Sequence, residues 1–418
     1  MKTKDTGHYL TRAILYIILP GMLCGLLAQS SIRISGYGNT HFMDHDGTPN
    51  FTGRELDKSF IQLREFSLFF DMAITDAIIA STELEASNNG NDYTANYAYV
   101  DIQATDNLSF RVGKLLVPFL SYNENKPNFK QNLMSQPFTA WNLAPVVPVP
   151  IEFHGVGWSD AGAMVNWNTF IEDVGLLDVK LAVINGLGSE SNVLDDNAVQ
   201  LNDGAGLPYV RPRDGLIQND EASELIDNNG NKATVVKISF KTLAFPMDAG
   251  LSWYRGKWDN NDSKNLEMLG GHFNWLSRNW TFKGEYVVAA VEQDAGLDPV
   301  AAAGLSGPSS INTTVGNYNM SAYYAEASAT PFHWDNSRHL KFVARYDAVD
   351  TNDKAVFNPF DRSRITVGLE WQLGKNTRLR YEYQRSTIND FDKAPAPYKK
   401  AGGNETIEMH MPSLIFSF

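Results

Sequence analysis

Apolar and polar side chains alternate residue by residue through most of the chain, in runs of about ten that turn-forming residues interrupt. From Ile32 to Phe42, Ile32, Ile34 and Gly36 oppose Arg33, Ser35 and Tyr37. Phe60 to Asp71 follows, then a tight connection at Ala73 to Asp76, and then Ile78 to Ala86. After the polar turn Asn88-Asn89-Gly90-Asn91, Tyr93 to Ala104 puts Ala98, Val100 and Ile102 on one face and Tyr97, Tyr99, Asp101 and Gln103 on the other. Thr105-Asp106-Asn107 leads into Leu108 to Val117, where Leu108, Phe110 and Val112 oppose Ser109 and Arg111. The rhythm stops over 118–154. It resumes at Gly155 to Trp167, Leu177 to Gly186, Ala233 to Thr242, Ala249 to Trp258, Leu266 to Leu276 and Trp280 to Val291. Asn319 to Thr330, Leu340 to Val349, Arg364 to Leu373, Arg378 to Ile388 and Thr406 to Phe418 complete it. The pattern predicts about sixteen strands, and an even count returns both ends to one side of a barrel.

Connection lengths select among architectures that alternate. Asp106-Asn107, Ser277-Arg278-Asn279 and Gly374-Lys375-Asn376 are short, whereas 187–232, 293–317 and 389–404 are long and polar. A soluble sandwich has no reason to lengthen every second connection; an all-β, closed antiparallel transmembrane β-barrel does. No apolar run after the first thirty or so residues reaches the ~18 that a membrane helix needs. Trp158, Trp167, Trp253, Trp258, Trp275, Trp280, Trp371, Tyr381 and Tyr383 fall near strand ends or on lipid-facing phases, where interfacial girdles belong. Aromatics at 12% and 32 glycines fit such a wall. A net charge of −13 argues against a nucleic-acid partner, and the excess acid lies mostly in the long connections, where it keeps them solvated.

The ends agree. Lys2, Lys4 and Arg12 precede an apolar run from Ala13 to Leu27, interrupted by Pro20-Gly21 and followed by Ala28-Gln29 as a small-residue processing site. The expected division is a signal peptide at 1–28 and a barrel at 29–418. Cys24 is the single cysteine, and the bulky Met22 and Leu23 before it do not suit lipidation. Without it, disulfides and thiol catalysis are excluded. At the other end Leu414, Phe416 and Phe418 share one face of a terminal strand that a barrel pairs with its first. The terminal Phe418 resembles the assembly signal of bacterial outer-membrane barrels, which implies the barrel-assembly machinery and outer-membrane lipid as partners.

The interruption at 118–154 is expected to be the third outward connection. Pro118, Pro127, Pro137, Pro145, Pro148 and Pro150 stiffen it and deny it strand pairing, so it is expected to fold inward and narrow a lumen. Arg111-Val112-Gly113-Lys114-Leu115-Leu116-Val117-Pro118-Phe119, followed by Tyr122-Asn123-Glu124, resembles the segment leading into the constriction loop of sixteen-stranded bacterial porins of the phosphate-selective type. Leu181-Ala182-Val183-Ile184-Asn185-Gly186 and Phe418 fit the same family. The resemblance implies a homotrimeric outer-membrane channel with an inward-folded third loop. In that family anion selectivity comes from basic lumenal residues, and this chain departs from a purely basic lining.

Phase assigns charges to the lumen, because Arg or Lys facing lipid at mid-depth costs about 2 to 4 kcal/mol. Arg64, Arg111, Lys180, Lys237, Lys241, Lys283, Lys341, Arg345, Arg364, Arg378 and Arg380 take the polar phase, as do Glu83, Glu85, Asp101, Glu285, Glu326, Asp347, Glu370 and Glu382. From the loop, Glu124, Lys126 and Lys130 are expected to reach the constriction. Opposed charges set up a transverse field that passes polar solutes and penalises apolar ones. Arg378 with Arg380 favours anions, or else pairs across strands with Glu370 or Glu382.

The outward segment 187–232 contains Asp195-Asp196-Asn197 and Arg211-Pro212-Arg213-Asp214, and the first lacks the glycine-punctuated spacing of a calcium loop. Gly-x-Ser-x-Gly, His-Glu-x-x-His and glycine-rich phosphate loops are absent, and His41 with His45 and His333 with His339 have no third ligand nearby. No enzyme activity, metal or cofactor is expected. The chain therefore reads as a porin passing small hydrophilic solutes by diffusion. Alternatives are a non-channel barrel acting as adhesin or receptor through its acidic connections, a barrel hydrolase, and a secreted glycan-binding β protein.

Overall fold

The computed structural model describes residues 31–46, 59–87, 92–140, 158–188, 217–218, 230–259, 262–292, 317–335, 337–350, 353, 362–388 and 404–418. The expected signal peptide, the stretch 141–157 of the third connection and the Asp195 and Arg211 segments lie outside them. The strands are β1 (Ser31–Asp46), β2 (Phe60–Thr75), β3 (Ile78–Ser87), β4 (Asp92–Thr105), β5 (Leu108–Leu116), β6 (Ser159–Ile171), β7 (Gly175–Ile184), β8 (Leu187–Gly188) and β9 (Ile217–Gln218). They continue with β10 (Ala233–Thr242), β11 (Met247–Lys257), β12 (Asn265–Leu276), β13 (Trp280–Val291), β14 (Tyr318–His333), β15 (His339–Asp350), β16 (Arg362–Gln372), β17 (Thr377–Ile388) and β18 (Glu405–Ser417). The short β8 and β9 pair with each other; the other sixteen form one closed antiparallel barrel in which each strand pairs with its neighbours and β1 meets β18. Gly36 and Phe418 exchange backbone hydrogen bonds of 3.1 and 3.0 Å across that seam, so the last residue helps close the wall.

Alternation becomes two chemically different surfaces. Outward residues are bare and apolar, as with Leu251 (65% exposed) and Ile365 (53%), while inward Glu83 and Asp347 are fully buried. Water would not tolerate this distribution over a whole wall; hydrocarbon outside the wall accounts for it. Exposed aromatics flank the outward apolar band. Trp167, Trp280, Trp334 and Trp371 lie toward the short turns, and Tyr286, Tyr323 and Tyr346 toward the long connections. Trp158 and Trp258 depart from the expected girdle: both are buried inside the barrel. Each sits just beyond a strand end, where the phase of the neighbouring strand no longer says which way a side chain points.

Two bulges also shift phase. Between Asn39 and Thr40 the β1–β2 register slips, making Arg64 the extra residue and turning both Arg64 and Glu65 into the interior. A second slip at Glu83/Leu84 does the same for Asn96.

The interior is layered along its axis. Toward the long connections, inward Ile184, Val235, Tyr254, Leu266, Val291 and Tyr318 join Trp158 and Trp258 in an apolar cluster. Ion pairs and the third connection fill the middle. Two cavities bordered by charged, amide and aromatic residues open toward the short turns.

Candidate functional site in the barrel interior

Residues 117–140 leave β5, cross the barrel and bury almost every side chain, without forming a strand. Backbone in such a place must find partners other than water. Asn123 supplies them at the root: its side-chain amide donates to Val117 O (2.8 Å) and Trp158 O (2.9 Å) and its Oδ1 accepts from Trp158 N–H (2.7 Å). One side chain thereby ties the segment's entry to the residue preceding β6.

The wall supplies the rest. Acidic side chains accept from loop amides: Glu285 from Ser121 (2.8 Å) and Tyr122 (2.7 Å), Glu382 from Met134 (2.7 Å) and Ser135 (3.3 Å), and Asp347 from Phe138 (3.2 Å). Basic side chains donate to loop carbonyls: Arg345 to Ser135 (2.8 Å), Arg378 to Phe129 (2.9 Å), Lys237 to Leu120 (2.6 Å), Arg364 to Gln136 and Arg380 to Gln131. Hydrogen bonds to charged groups contribute about 1.5 to 3 kcal/mol each, so this set is a clamp. Buried charges are themselves balanced: Arg345 meets Asp347 at 2.9 Å and Arg380 meets Glu370 at 2.6 Å.

Two wall glycines complete the fit. A Cβ placed on Gly270 would stand 2.6 Å from Leu120 Cδ2, and one on Gly368 would stand 2.5 Å from Leu133 Cδ2. Each absent side chain is a socket for a loop leucine. Leu120 adopts φ 60°, a left-handed conformation unfavourable for leucine, and the clamp at Ser252, Lys237 and Gly270 holds it there.

The sequence-derived candidates thus occupy several environments. Arg345, Arg364, Arg378, Arg380 and Glu382 form the clamp on β15–β17. Glu124 bonds Lys180 and Lys237; burial, which by itself raises its pKa, is outweighed by those two ammonium groups, and its carboxyl is held down to about 2. Lys126 is buried 4.0 Å from Glu83. Arg64 is buried at its bulge. Arg111 forms a two-pronged pair with Asp101, both bonds 2.8 Å, and its guanidinium lies 3.8 Å above the Tyr99 ring. Lys130 alone among the loop's candidates is exposed, and it lines both cavities. Glu65, Asn39 and Asn96 were not singled out from the sequence; the bulges that turn two of them inward leave no periodic signal. Among the described residues no group of three or more His, Cys, Asp or Glu is placed to hold a metal.

The cavities differ in lining. The first, about 580 Å³, lies along β1–β5 and is bordered by Phe69, Tyr97, Tyr99 and Phe129 with charges of both signs. The second, about 540 Å³, lies along β10–β14 and is bordered by Lys130, Lys241 and Lys283 against the single acid Asp248, with several amides.

No protein-family profile matches the chain. An uncharacterized protein of Aquifex aeolicus is 21% identical over 386 residues, covering 87% of this chain and 77% of its own length. Among solved structures, the anion-selective porin from Comamonas acidovorans aligns with a TM-score of 0.56 at 12% identity, over 93% of this chain and all of that one. Salmonella typhi OmpF in complex with daunomycin aligns at 0.54 with 8% identity, over 93% of this chain and 97% of that one. OmpT of Vibrio cholerae aligns at 0.51 with 9% identity, over 93% and 98%. At such identities the likeness is one of fold: a porin-like sixteen-stranded barrel.

Proposed function

We propose that this protein is a porin of the bacterial outer membrane, a passage for passive diffusion of small polar or charged solutes that its third outward connection narrows. The observation that carries this reading is the clamp. A segment of 24 residues, 117–140, is held across the interior by charged wall side chains, and cavities bordered by charged and amide residues remain beside it. A field between acids and bases passes polar solutes and penalises apolar ones. The proposal includes a cleaved signal peptide, kinship with the phosphate-selective type, and a homotrimer. The trimer is supported by an outer face on β3 and β4 that presents Ala80, Thr82, Leu84, Ala98 and Val100 and has no girdle aromatics at these levels.

Planar bilayers containing the folded protein should show stepwise conductance, and the protein should fractionate with outer membranes. Repeated absence of steps from properly folded samples removes the channel reading. One observation favours a second reading, a closed barrel acting through its outer connections: the apolar cluster packs inward toward the long-connection end. Exclusion of small polyethylene glycols by a barrel that conducts no ions is the outcome that reading requires.

A further inference from the structure

We infer that the cavity along β1–β5 is a binding subsite for sugars, or polyhydroxylated solutes with a flat apolar face like that of a pyranose. The inference rests on the channel reading and names a solute class for one part of the channel.

Two aromatic groups border this space, side by side on one arc of the wall with Glu83 of β3 between Phe69 and Tyr97. On one side Tyr37, Phe69 and Phe129 form a cluster contributed by β1, β2 and the loop, with ring centroids 5.1 to 6.2 Å apart. On the other, Tyr97 and Tyr99 stack at 5.2 Å and 26°, and the Arg111 guanidinium covers Tyr99. Four of these rings line the cavity and none is fully exposed. Packing fixes two of them, Tyr99 against the large apolar cluster and Phe129 against a small cluster of Met43, Met134, Met409 and Met411, yet both keep a place on the cavity wall. Here they border a space of about 580 Å³, within the ~300–1,000 Å³ that small-molecule sites occupy.

Charge decides what such rings are for. The lining holds three bases, Arg33, Arg111 and Lys130, and three acids, Asp71, Glu83 and Glu124, for a formal balance of zero. A filter for simple ions gains nothing from that balance, and π faces repel anions. An apolar solute would strip water from the charged edges without replacing its hydrogen bonds. A pyranose meets both demands: its C–H face carries slight positive charge toward a ring, and its equatorial hydroxyls both donate to carboxylates and accept from guanidinium or ammonium groups. Asp71 is oriented for this, accepting from Ser81 at 2.8 Å and lying 3.9 Å from Arg33. The cavity along β10–β14 is bordered by only two rings, the buried Tyr122 and Tyr324, and carries net positive charge, which makes it an internal control.

The test is calorimetric titration of the refolded full chain in detergent with maltotriose, paired with ion current through single channels as maltotriose is added. Saturable heat and saturable current block are expected. Combined Tyr97→Ala and Tyr99→Ala should raise the half-saturating concentration about tenfold, while Met247→Ala in the other cavity leaves it unchanged. Phe69→Tyr, which keeps a ring, should retain binding and guards against misfolding of the alanine variants. No heat, with a current that falls only as sorbitol of equal viscosity makes it fall, overturns the inference. So does an unchanged midpoint in the double variant, or binding of benzoate without maltotriose. Heat without any ion current leaves the subsite standing and defeats the channel reading instead.

Discussion

The β15–β17 arc and the β4–β5 arc of the inner wall both carry arginines and acids, and they use them in opposite ways. On β15–β17 the loop lies against the wall, and Arg345, Arg364 and Arg380 are buried with loop carbonyls and wall carboxylates as partners. On β4–β5 the loop stands off, and Arg111 is answered by Asp101 from its own wall while remaining partly open to a cavity. Dry surroundings force a guanidinium to collect acceptors, whereas a cavity lets water share the task. The number of basic residues facing a lumen is therefore a poor measure of its preference for anions. On the proposed channel reading, only those still bordering open space, chiefly Arg33, Lys130, Lys241 and Lys283, act on a passing solute.

The largest effect should come from the dry arc. Arg345→Ala leaves Asp347 and Glu326 short of a partner and strips Ser135 of its donor. Removing one member of a buried charged set costs about 3 to 5 kcal/mol. The expected outcome is a lower denaturation midpoint together with larger single-channel steps as the loop detaches. Equal steps from a folded variant would refute the clamp. Gly368→Val tests the same arc without touching charge: its side chain must displace Leu133, at about 1 to 3 kcal/mol, with a smaller rise in conductance. On the open arc, Arg111→Gln should cost no more than about 1 kcal/mol and leave step size unchanged, because its partner is partly solvated and the loop backbone does not depend on it.

How far these regions could be read from residues alone follows from the range of the interactions. Alternation is local, so the strand set was legible: Ala233–Thr242 and Trp280–Val291 coincide end to end with β10 and β13, and most other boundaries move by one to four residues. Bulges were not, because a single inserted residue flips the phase with no periodic cue, as at Arg64 and Asn96. The prolines marked the loop as irregular. What it rests on depends on pairs far apart in the chain, such as Tyr122 with Glu285 and Met134 with Glu382, for which one sequence holds no signal. Cross-strand pairing of Arg378 and Arg380 was legible as far as Glu370; that Glu382 instead serves the loop backbone was not.

A finer effect concerns acidity. With Glu124 depressed to about 2, its tie to Lys180 and Lys237 is fully present above the ordinary carboxylate pKa of 4.5 and is lost only as pH falls through about 2. Conductance set by this tie should stay flat from neutral pH to about 4 and change only in strong acid. Glu124→Gln should remove the change at low pH and leave Lys180 and Lys237 closer to the cavity, moving selectivity toward anions at all pH values. Single-channel conductance and reversal potentials under a salt gradient, measured across that range, check both statements; a transition near pH 5 that Glu124→Gln abolishes would show that the ammonium pair does not hold the carboxylate.

The smallest expected effect on stability, and the cleanest separation of the two arcs, belongs to Lys130→Gln. Lys130 is exposed and borders both cavities, so its charge acts on solutes without supporting the clamp. Stability should stay within about 0.5 kcal/mol of the parent, as for substitutions away from structural features. The reversal potential should nonetheless move toward cations, because one of the few uncommitted positive charges has gone from the lining of both cavities. Arg380→Gln removes the same charge from the dry arc, where Glu370 already cancels it; there the reversal potential should hold while the denaturation midpoint falls. If the two variants shifted selectivity equally, charge count rather than commitment would govern the passage, and the contrast between the arcs would lose its functional meaning.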